Sequence, residues 1–562
     1  MSDGFDRGAN LRRLADERFD VLVIGGGITG VGVALDAASR GLRTALIERD
    51  DFASGTSSKS SKLVHGGLRY LQNGDVRLVY EALAERQRLR KNAPHLVKIL
   101  PFLIPIFSKD GLINPKVARA MGSAMWMYDL TGGARIGKIH QRLRKEQAVE
   151  YMPTLPVDRL AGAYLYYDAQ ADDARLTLTI ARTAVLEYGA AIANGCTVVG
   201  LDKDSAGRVC GATVSVDGNT FPVQAASVVN ATGVWADDVR ALDEGTHPDS
   251  IRPAKGIHIT VPWSKVQNRI AVVVPVPKDK RSVFVVPWGG VGGQYEFTYI
   301  GTTDTDYEGS LDDPQCTTED IEYLLRAINF SVSSPVRQED ILGSWAGLRP
   351  LVKSATSGRT ADLSRRHRVA RSESGLVSIT GGKLTTYREM AADTVDEVVD
   401  VLGADATRHA SRRSRTRRLR LRGADGYRSA KADAGSDPVL LHLLERYGDE
   451  GRAVLALADR DASLKSPLVP GLPYLKAEAV FAARHEMARS VDDVLSRRTR
   501  ARLLARDASA AAADEVAALL ASELEWDAAE QRAQAETYRA IAALERAAAD
   551  LPETAIEAAI AT

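Results

Sequence analysis

The sequence predicts an α/β chain: a parallel-sheet domain of the βαβ type, carrying an inserted antiparallel sheet and followed by an all-helical C-terminal part. Three observations predict it. A buried strand, a glycine turn and an alanine-rich helix follow one another from Phe19 to a second apolar strand ending at Glu48. Between Ile251 and Thr303 the pattern changes to short apolar runs bounded by Pro and Gly. Beyond the helix that begins near Thr385 nearly every segment has helical periodicity and is rich in Ala, Leu, Glu and Arg.

The bulk numbers agree. With 562 residues, 45% hydrophobic and 26% charged, the chain is long enough for two or three packed domains. Lys plus Arg and Asp plus Glu both number 73, so net charge gives no argument for nucleic acid, and any charged partner is met by a local patch. Cys196, Cys210 and Cys316 are too scattered for a disulfide framework and lack metal-ligand spacing, so no metal is expected. The polar residues before Phe19 contain no apolar signal segment, and a cytoplasmic location is expected. The apolar stretch His95 to Phe107 is shorter than the ~20 residues of a spanning helix and contains Pro101 and Pro105. It reads first as a buried strand, and second as a segment resting on a membrane surface.

In chain order, Asp20 to Ile24 is a buried parallel strand, and the helix after it ends at Arg40 before Gly41. Ala181 to Gly189 reads as helix; Cys196 to Leu201, Val209 to Val216 and Ala226 to Gly233 read as strands. Val272 to Pro275, Val283 to Pro287 and Glu296 to Gly301 are the short strands of the insertion. A glycine pair, Gly381 and Gly382, precedes a helix from Thr385 to Val399. The expected domains are 1–408, a nucleotide-binding domain with β-rich substrate-binding parts at about 95–165 and 250–345; 409–423, a basic linker; and 424–562, the helical part. Arg412, Arg413, Arg415, Arg417, Arg418, Arg420 and Arg422 read first as a solvated linker and second as a contact for anionic lipid. The alanine-rich tail after Ala508 has no assigned use.

Gly25, Gly27 and Gly30 form G-x-G-x-x-G, a weak signal alone. Here the motif follows a strand, opens a helix and precedes Glu48 at the end of the next strand, which makes it a Rossmann-like dinucleotide fingerprint. Gly25 permits the tight turn, Gly27 admits a pyrophosphate to the helix N-terminus and Gly30 allows close packing of helix on strand. Glu48 would accept hydrogen bonds from ribose hydroxyls. The motif does not separate NAD from FAD. The next stretch does: between Phe52 and Lys62 most residues are Ser, Thr or Gly, small donors and close backbone approaches for a long polar cofactor.

The segments SGTSSKSSKLVHGGLRYL, YDAQADDARLTL, NATGVWAD, KGIHIT, IGTTDTDYEG, SWAGLRPL, GGKLTTYREMAADT and LPYLKAEAVFAARHEMARSVDDVLSRRTR, in that order, resemble the FAD-dependent glycerol-3-phosphate dehydrogenases, within the D-amino-acid-oxidase-like flavoproteins. The resemblance runs from about Phe19 to Leu504. It implies bound FAD, contacted by Gly25, Gly27, Ile28, Thr29, Gly30, Glu48 and Arg49, and by Ser54, Thr56, Ser57, Ser61, Lys62, Leu63, His65, Gly66 and Gly67. It adds Val198, Thr232, Gly233, Gly382, Lys383, Leu384 and Thr385. The last group is also what physics asks for, since a glycine pair opening a helix points backbone N–H groups at the flavin edge that turns negative on reduction. Gly381 and Gly382 equally read as a plain strand-to-helix turn.

Oxidising a secondary alcohol needs a base, an open route for hydride and an anchor. Arginine suits a phosphate anchor because its planar fork grips oxygens in pairs. Arg69, beside Tyr70, and Arg349, in Trp345–Pro350, match substrate-contacting positions of the resembled family. Of the nine histidines, His65 and His258 lie outside helical or strongly polar segments. His65 is the first choice as base, because glycines follow it; His258 and Lys383 are left to orient substrate or stabilise charge, with Lys383 ambiguous between flavin and substrate. The family often has Ser where this chain has Ile257, so a hydroxyl contact there is absent. The resemblance implies sn-glycerol 3-phosphate as substrate, a quinone as acceptor and peripheral contact with the inner membrane; a homodimer is a further expectation. Oxygen as acceptor, an amino-acid or hydroxy-acid oxidase, and a catalytically silent flavoprotein are the competing readings.

Overall fold

A computed structural model describes residues 4–68, 75–107, 115–132, 136–279, 281–289, 295–353 and 366–554. Among them stand two large sheets and a helical C-terminal part. The first sheet is built on Arg18–Ile24, whose Val21, Leu22 and Val23 are fully buried, each contributing about 1.5–3 kcal/mol of apolar burial. It pairs in parallel with Thr44–Ile47 on one side and with the end of Asn219–Asn230 on the other; Ala191–Ala193 and Val377–Thr380 extend the parallel order outward. Thr197–Lys203 and Val209–Val216 form an antiparallel meander that feeds Asn219–Asn230.

Ile28–Arg40 covers this sheet. Its first free N–H, on Ile28, donates to Ser57 Oγ at 2.8 Å, and it stops at Gly41, which takes φ 98° and closes the last turn. A Cβ at Gly30 would lie 1.9 Å from the Gly25 carbonyl oxygen, so only glycine lets this helix sit so near the strand end. Asp173–Leu186 and Tyr387–Ala406 pack beside it over one apolar core.

The second sheet has ten strands, nearly all antiparallel, including Ile251–Pro262, Ala271–Pro275, Ser282–Trp288, Phe297–Gly301 and Gly343–Val352. The stretch first read from His95 to Phe107 is the strand Lys98–Phe107 in the interior of this sheet, and its burial removes the alternative of resting on a membrane. Its prolines are tolerated because the parallel neighbour Ala271–Pro275 pairs only with Phe102 and Leu103, leaving Pro101 and Pro105 outside the two-sided ladder. The short strand Leu63–Val64 pairs with Leu160–Gln170 at the edge, so the serine-rich stretch ends inside the second sheet and bridges both.

The expected helix at 181–189 is the end of Asp173–Leu186, and that expected from Thr385 begins as a 3-10 turn, Leu384–Thr386, before Tyr387–Ala406. The basic stretch is solvated only on its arginine side. Leu419 and Leu421 are buried in the core of the first domain, and Leu421 N donates to Asn92 O at 2.8 Å. The tail after Ala508 is structural: Ala549 and Leu551 enter the core of the second sheet, and Glu545 accepts from the Ser344 N–H at 2.9 Å. Helices of the C-terminal part also join the first domain through buried ion pairs, with Asp51 accepting from Arg497 at 2.6 Å and from two nitrogens of Arg498 at 2.8 Å. No helix among the described residues is long and apolar enough to cross a membrane.

Candidate active site

A cavity of about 610 Å³ opens where the first sheet meets the second. Its floor is the Gly25–Gly27 turn with Ile28 and Thr29; Glu48 and Arg49 stand at one end, with Val198 beside them. Ser54, Thr56, Ser57, Ser61, Leu63 and His65 form one wall, Thr232 and Gly233 another, and Arg349, Gly382, Lys383, Leu384 and Thr385 close the far end. Segments more than 300 residues apart in the chain thus share one space. Gly381 and Gly382 take φ of 74° and 82°, the left-handed region that turns Val377–Thr380 into the helix that follows.

Glu48 is fixed by two backbone donors, Gly26 N at 2.5 Å and Asp50 N at 2.9 Å. Burial nevertheless pushes its pKa up to about 7, those two bonds pulling the other way. Arg49 lies over the Trp235 ring at 5.0 Å and pairs with Asp312 at 2.8 Å, and Trp235 Nε1 donates to the same carboxylate. His65 is held from both sides. Its own N–H donates to Thr385 Oγ1 at 3.1 Å, and the N–H of Gly66 donates to Asp168 and to the Tyr128 hydroxyl, each at 3.2 Å. Tyr128 donates in turn to Asp168, whose charge is matched by buried Arg86.

Arg349 projects from Gly343–Val352 across Gly256, where a Cβ would lie 2.5 Å from Nη2. The guanidinium donates to Asp304, Thr302 Oγ1 and Thr303 O at 3.2–3.3 Å, and its side chain keeps 23% exposure toward the cavity. The guanidinium is thereby held at the cavity wall, which it lines. Among the described residues no cluster of three or more His, Cys, Asp or Glu groups converges on a metal position. The buried Cys196 thiol is pushed up to about 11 by burial, which leaves it inert at neutral pH.

Several expected contacts are elsewhere. His258 stands behind the cavity wall: it is stacked on Trp345 at 4.8 Å, its Nε2 meets Ser61 Oγ at 2.9 Å, and Gly301 makes room for its ring. Burial, then Lys62 and Arg349, hold it well below the usual imidazole range, so it is neutral beside Ser61, and it is not among the residues that line the cavity. Ile257 faces the opposite side, in the core of the second sheet, so the missing hydroxyl bears on packing and not on the pocket. The Lys62 ammonium turns away to Ser58 O and Asp173, at 3.1 and 3.2 Å. Gly30 is a packing position, the Gly66 amide is taken by Asp168 and Tyr128, and Gly67 lies off the cavity wall. Ser57 lines the cavity, but its hydroxyl is engaged by Ile28. Arg69 and Tyr70 lie outside the described residues. Trp235, Thr302 and Phe284, which the sequence reading did not single out, line the cavity. Trp235 and Thr302 belong to the NATGVWAD and IGTTDTDYEG segments; no sequence signal marks Phe284.

Residues 20–388 match the model of the FAD dependent oxidoreductase family, and residues 414–531 that of the C-terminal domain of alpha-glycerophosphate oxidase. Glycerol-3-phosphate dehydrogenase 2 of Mycobacterium tuberculosis is 42% identical over 540 residues, covering 94% of this chain and 89% of the relative. The chain belongs to the family of FAD-dependent glycerol-3-phosphate dehydrogenases. The human mitochondrial member is 39% identical, over 93% of this chain and 72% of its own. A crystal structure of the Bacillus halodurans dehydrogenase complexed with FAD superimposes with a TM-score of 0.75 at 30% identity, covering 100% of this chain and 99% of that one. The L-alpha-glycerophosphate oxidase of Mycoplasma pneumoniae, 18% identical with a TM-score of 0.53, shares the fold over 68% of this chain. FAD is the family's cofactor, and the cavity fits it. The Gly25–Gly30 turn leaves the backbone bare at a helix N-terminus, and Glu48 waits at the end of the second strand.

Proposed function

We propose that the enzyme oxidises sn-glycerol 3-phosphate to dihydroxyacetone phosphate and passes the electrons to a membrane quinone. When bound, FAD supplies the two-electron oxidant that takes the C2 hydrogen as hydride. The chain's own residues do the rest. His65 accepts the proton of the C2 hydroxyl as that carbon becomes a ketone, and the Thr385 and Asp168 contacts on either side keep its backbone in place. Arg349, with Arg69, holds the phosphate, and Lys383 at the glycine turn balances charge near the reacting end. Gly25, Glu48, Ser54, Thr56, Ser61, Leu63, Thr232, Gly233 and Gly382 to Thr385 hold the cofactor. In the same reading residues 1–408 carry the cofactor and substrate, and the enzyme works at the cytoplasmic face of a membrane.

The observation that carries this reading is the meeting of His65, Lys383 and Arg349 in the same cavity as the dinucleotide turn. A phosphate is favoured over an amino-acid carboxylate because two arginine positions and a lysine exceed what one carboxylate requires. His65→Ala and Arg349→Ala should retain FAD and lose anaerobic flavin reduction by glycerol 3-phosphate; wild-type reduction rates in both would refute it. Oxygen is the alternative acceptor, and comparing peroxide yield with quinone reduction in one assay decides between them.

A further inference from the structure

We propose that Phe284 limits the substrate to a three-carbon chain, by closing the cavity beside His65 with a ring that offers a further hydroxyl neither a donor nor an acceptor. This rests on the reaction proposed above and names the residue that refuses longer polyol phosphates.

Among the described residues, two aromatic side chains other than histidine line the cavity, Trp235 and Phe284. Trp235 stands at the Glu48 end, held by Arg49 and Asp312. Phe284 stands at the reacting end. Its ring meets His65 edge-on, with centroids 6.1 Å apart and planes at 74°. In the neighbouring strand it pairs with Gly301, the residue before Thr302, whose Oγ1 accepts from Arg349. One ring is thus a neighbour of the base and of the residues around the phosphate anchor.

This wall is fixed. Ser282–Trp288 is an interior strand, and Phe284 is paired through Val273 on one side and Gly301 on the other. Behind the ring, fully buried Phe102 packs edge-on at 5.9 Å and stacks on Tyr166 at 5.1 Å. Tyr166 meets Tyr128 at 5.9 Å, and the Tyr128 hydroxyl accepts from the Gly66 amide next to His65. Ring and histidine therefore belong to one packed layer, and packed interiors yield little. Held at its phosphate by Arg349 and at its reacting carbinol by His65, a longer chain extends past His65 against the ring. Its added hydroxyl loses water there and finds only carbon. Lost space and an unpaired hydroxyl together give about 10- to 100-fold discrimination.

Anaerobic flavin reduction of the holoenzyme tests this with two substrates. L-Erythritol 4-phosphate has at C3 the configuration of C2 in sn-glycerol 3-phosphate, and one carbon more. The second-order rate constant for the longer substrate, divided by that for the shorter, is the readout. Phe284→Val opens the space and should raise this ratio about 10-fold; Phe284→Thr opens the same space, adds a hydroxyl, and should raise it about 100-fold. Phe284→Leu is the mildest change and should raise it about threefold with FAD content unchanged, which keeps a variant in hand if the smaller side chains unfold the strand. Phe330→Val removes an equal ring that packs on Phe107 outside the cavity, and should leave the ratio at its wild-type value. Wild-type ratios in the folded Phe284 variants, or an equal rise in Phe330→Val, overturn the assignment of Phe284 alone, provided sn-glycerol 3-phosphate reduces the wild-type flavin. A wild-type flavin that sn-glycerol 3-phosphate leaves oxidised overturns the reaction itself, and this assignment with it.

Discussion

Affinity for FAD should depend on pH through Glu48. The FAD-free carboxyl is pushed up to about 7 by burial, even though Gly26 and Asp50 donate to it. Ribose hydroxyls donating to it favour its ionised form, so FAD binds the deprotonated protein more tightly. Affinity is therefore full above pH 7 and falls as pH drops below it. If the bound carboxyl returns to its ordinary 4.5, the dissociation constant at pH 5.5 is about 30-fold weaker than at pH 8, or about 2 kcal/mol. The same shift makes the FAD-free protein lose stability as pH rises from 4.5 to 7, because there the folded state binds more protons than the unfolded one. Quenching of flavin fluorescence on adding FAD to the stripped enzyme at several pH values measures the effect, and Glu48→Gln should flatten it. An affinity constant between pH 8 and 5.5, or an unchanged slope in Glu48→Gln, would refute the assignment of Glu48 to the ribose.

Three further outcomes follow from the geometry. Gly256→Ala places a Cβ 2.5 Å from Arg349 Nη2 and 2.6 Å from Thr302 Oγ1, so the guanidinium must move; steady-state kinetics should show KM for glycerol 3-phosphate rising about 10- to 100-fold with FAD content unchanged. Tyr128→Phe removes a hydroxyl that touches both Asp168 and the Gly66 amide, and stopped-flow flavin reduction should slow about 5- to 10-fold while KM stays near wild type. Glu478 is fully buried; burial alone would raise its pKa, but His442 and Arg446 hold it at about 2. Its stabilising contribution is complete above pH 4.5 and is lost as pH falls toward 2, and Glu478→Gln should cost roughly 3–5 kcal/mol in denaturant unfolding at neutral pH and flatten the acid limb.

The features that periodicity and glycine spacing determine were legible. Val209–Val216 is the strand the alternation predicts, residue for residue, and the Phe19–Glu48 unit folds as a strand, helix and strand with Gly41 at the stop. What failed was direction. Lys62 and His258 occur in informative motifs, yet Lys62 takes a left-handed φ of 54° and its side chain turns into an ion cluster, while His258 stacks behind the wall because alternate positions along a strand face opposite sides. Ile257 and His258 show the same rule, adjacent in sequence and on opposite faces. Phe284 and Asp168 act through pairings fixed by the second sheet, and long-range register leaves no local mark. Pro101 and Pro105 sit in an interior strand because the neighbouring strand is short, a fact of the partner and not of the segment.

The helical C-terminal part supports the active site from behind, although none of its described residues lines the cavity. Arg500 donates to the Ser58 carbonyl at 2.8 Å and meets Asp173, while Lys62 reaches the same carbonyl at 3.1 Å. Asp173 also accepts from the Ser60 amide and hydroxyl at 3.0 and 2.7 Å. The carbonyl and amide groups of the 58–62 stretch are thereby satisfied on the side away from the cavity. Ser57, Ser61 and Leu63 are left facing into it. A charged cluster of this kind adds little net stability, since desolvation offsets most of the attraction. Its effect is to fix the loop, because a displaced loop leaves the buried Lys62 ammonium without Asp173 and the Ser58 carbonyl without Arg500. That accounts for a dense run of arginines at 497–502, far along the chain from the cofactor motif, inside a region that otherwise reads as plain helix.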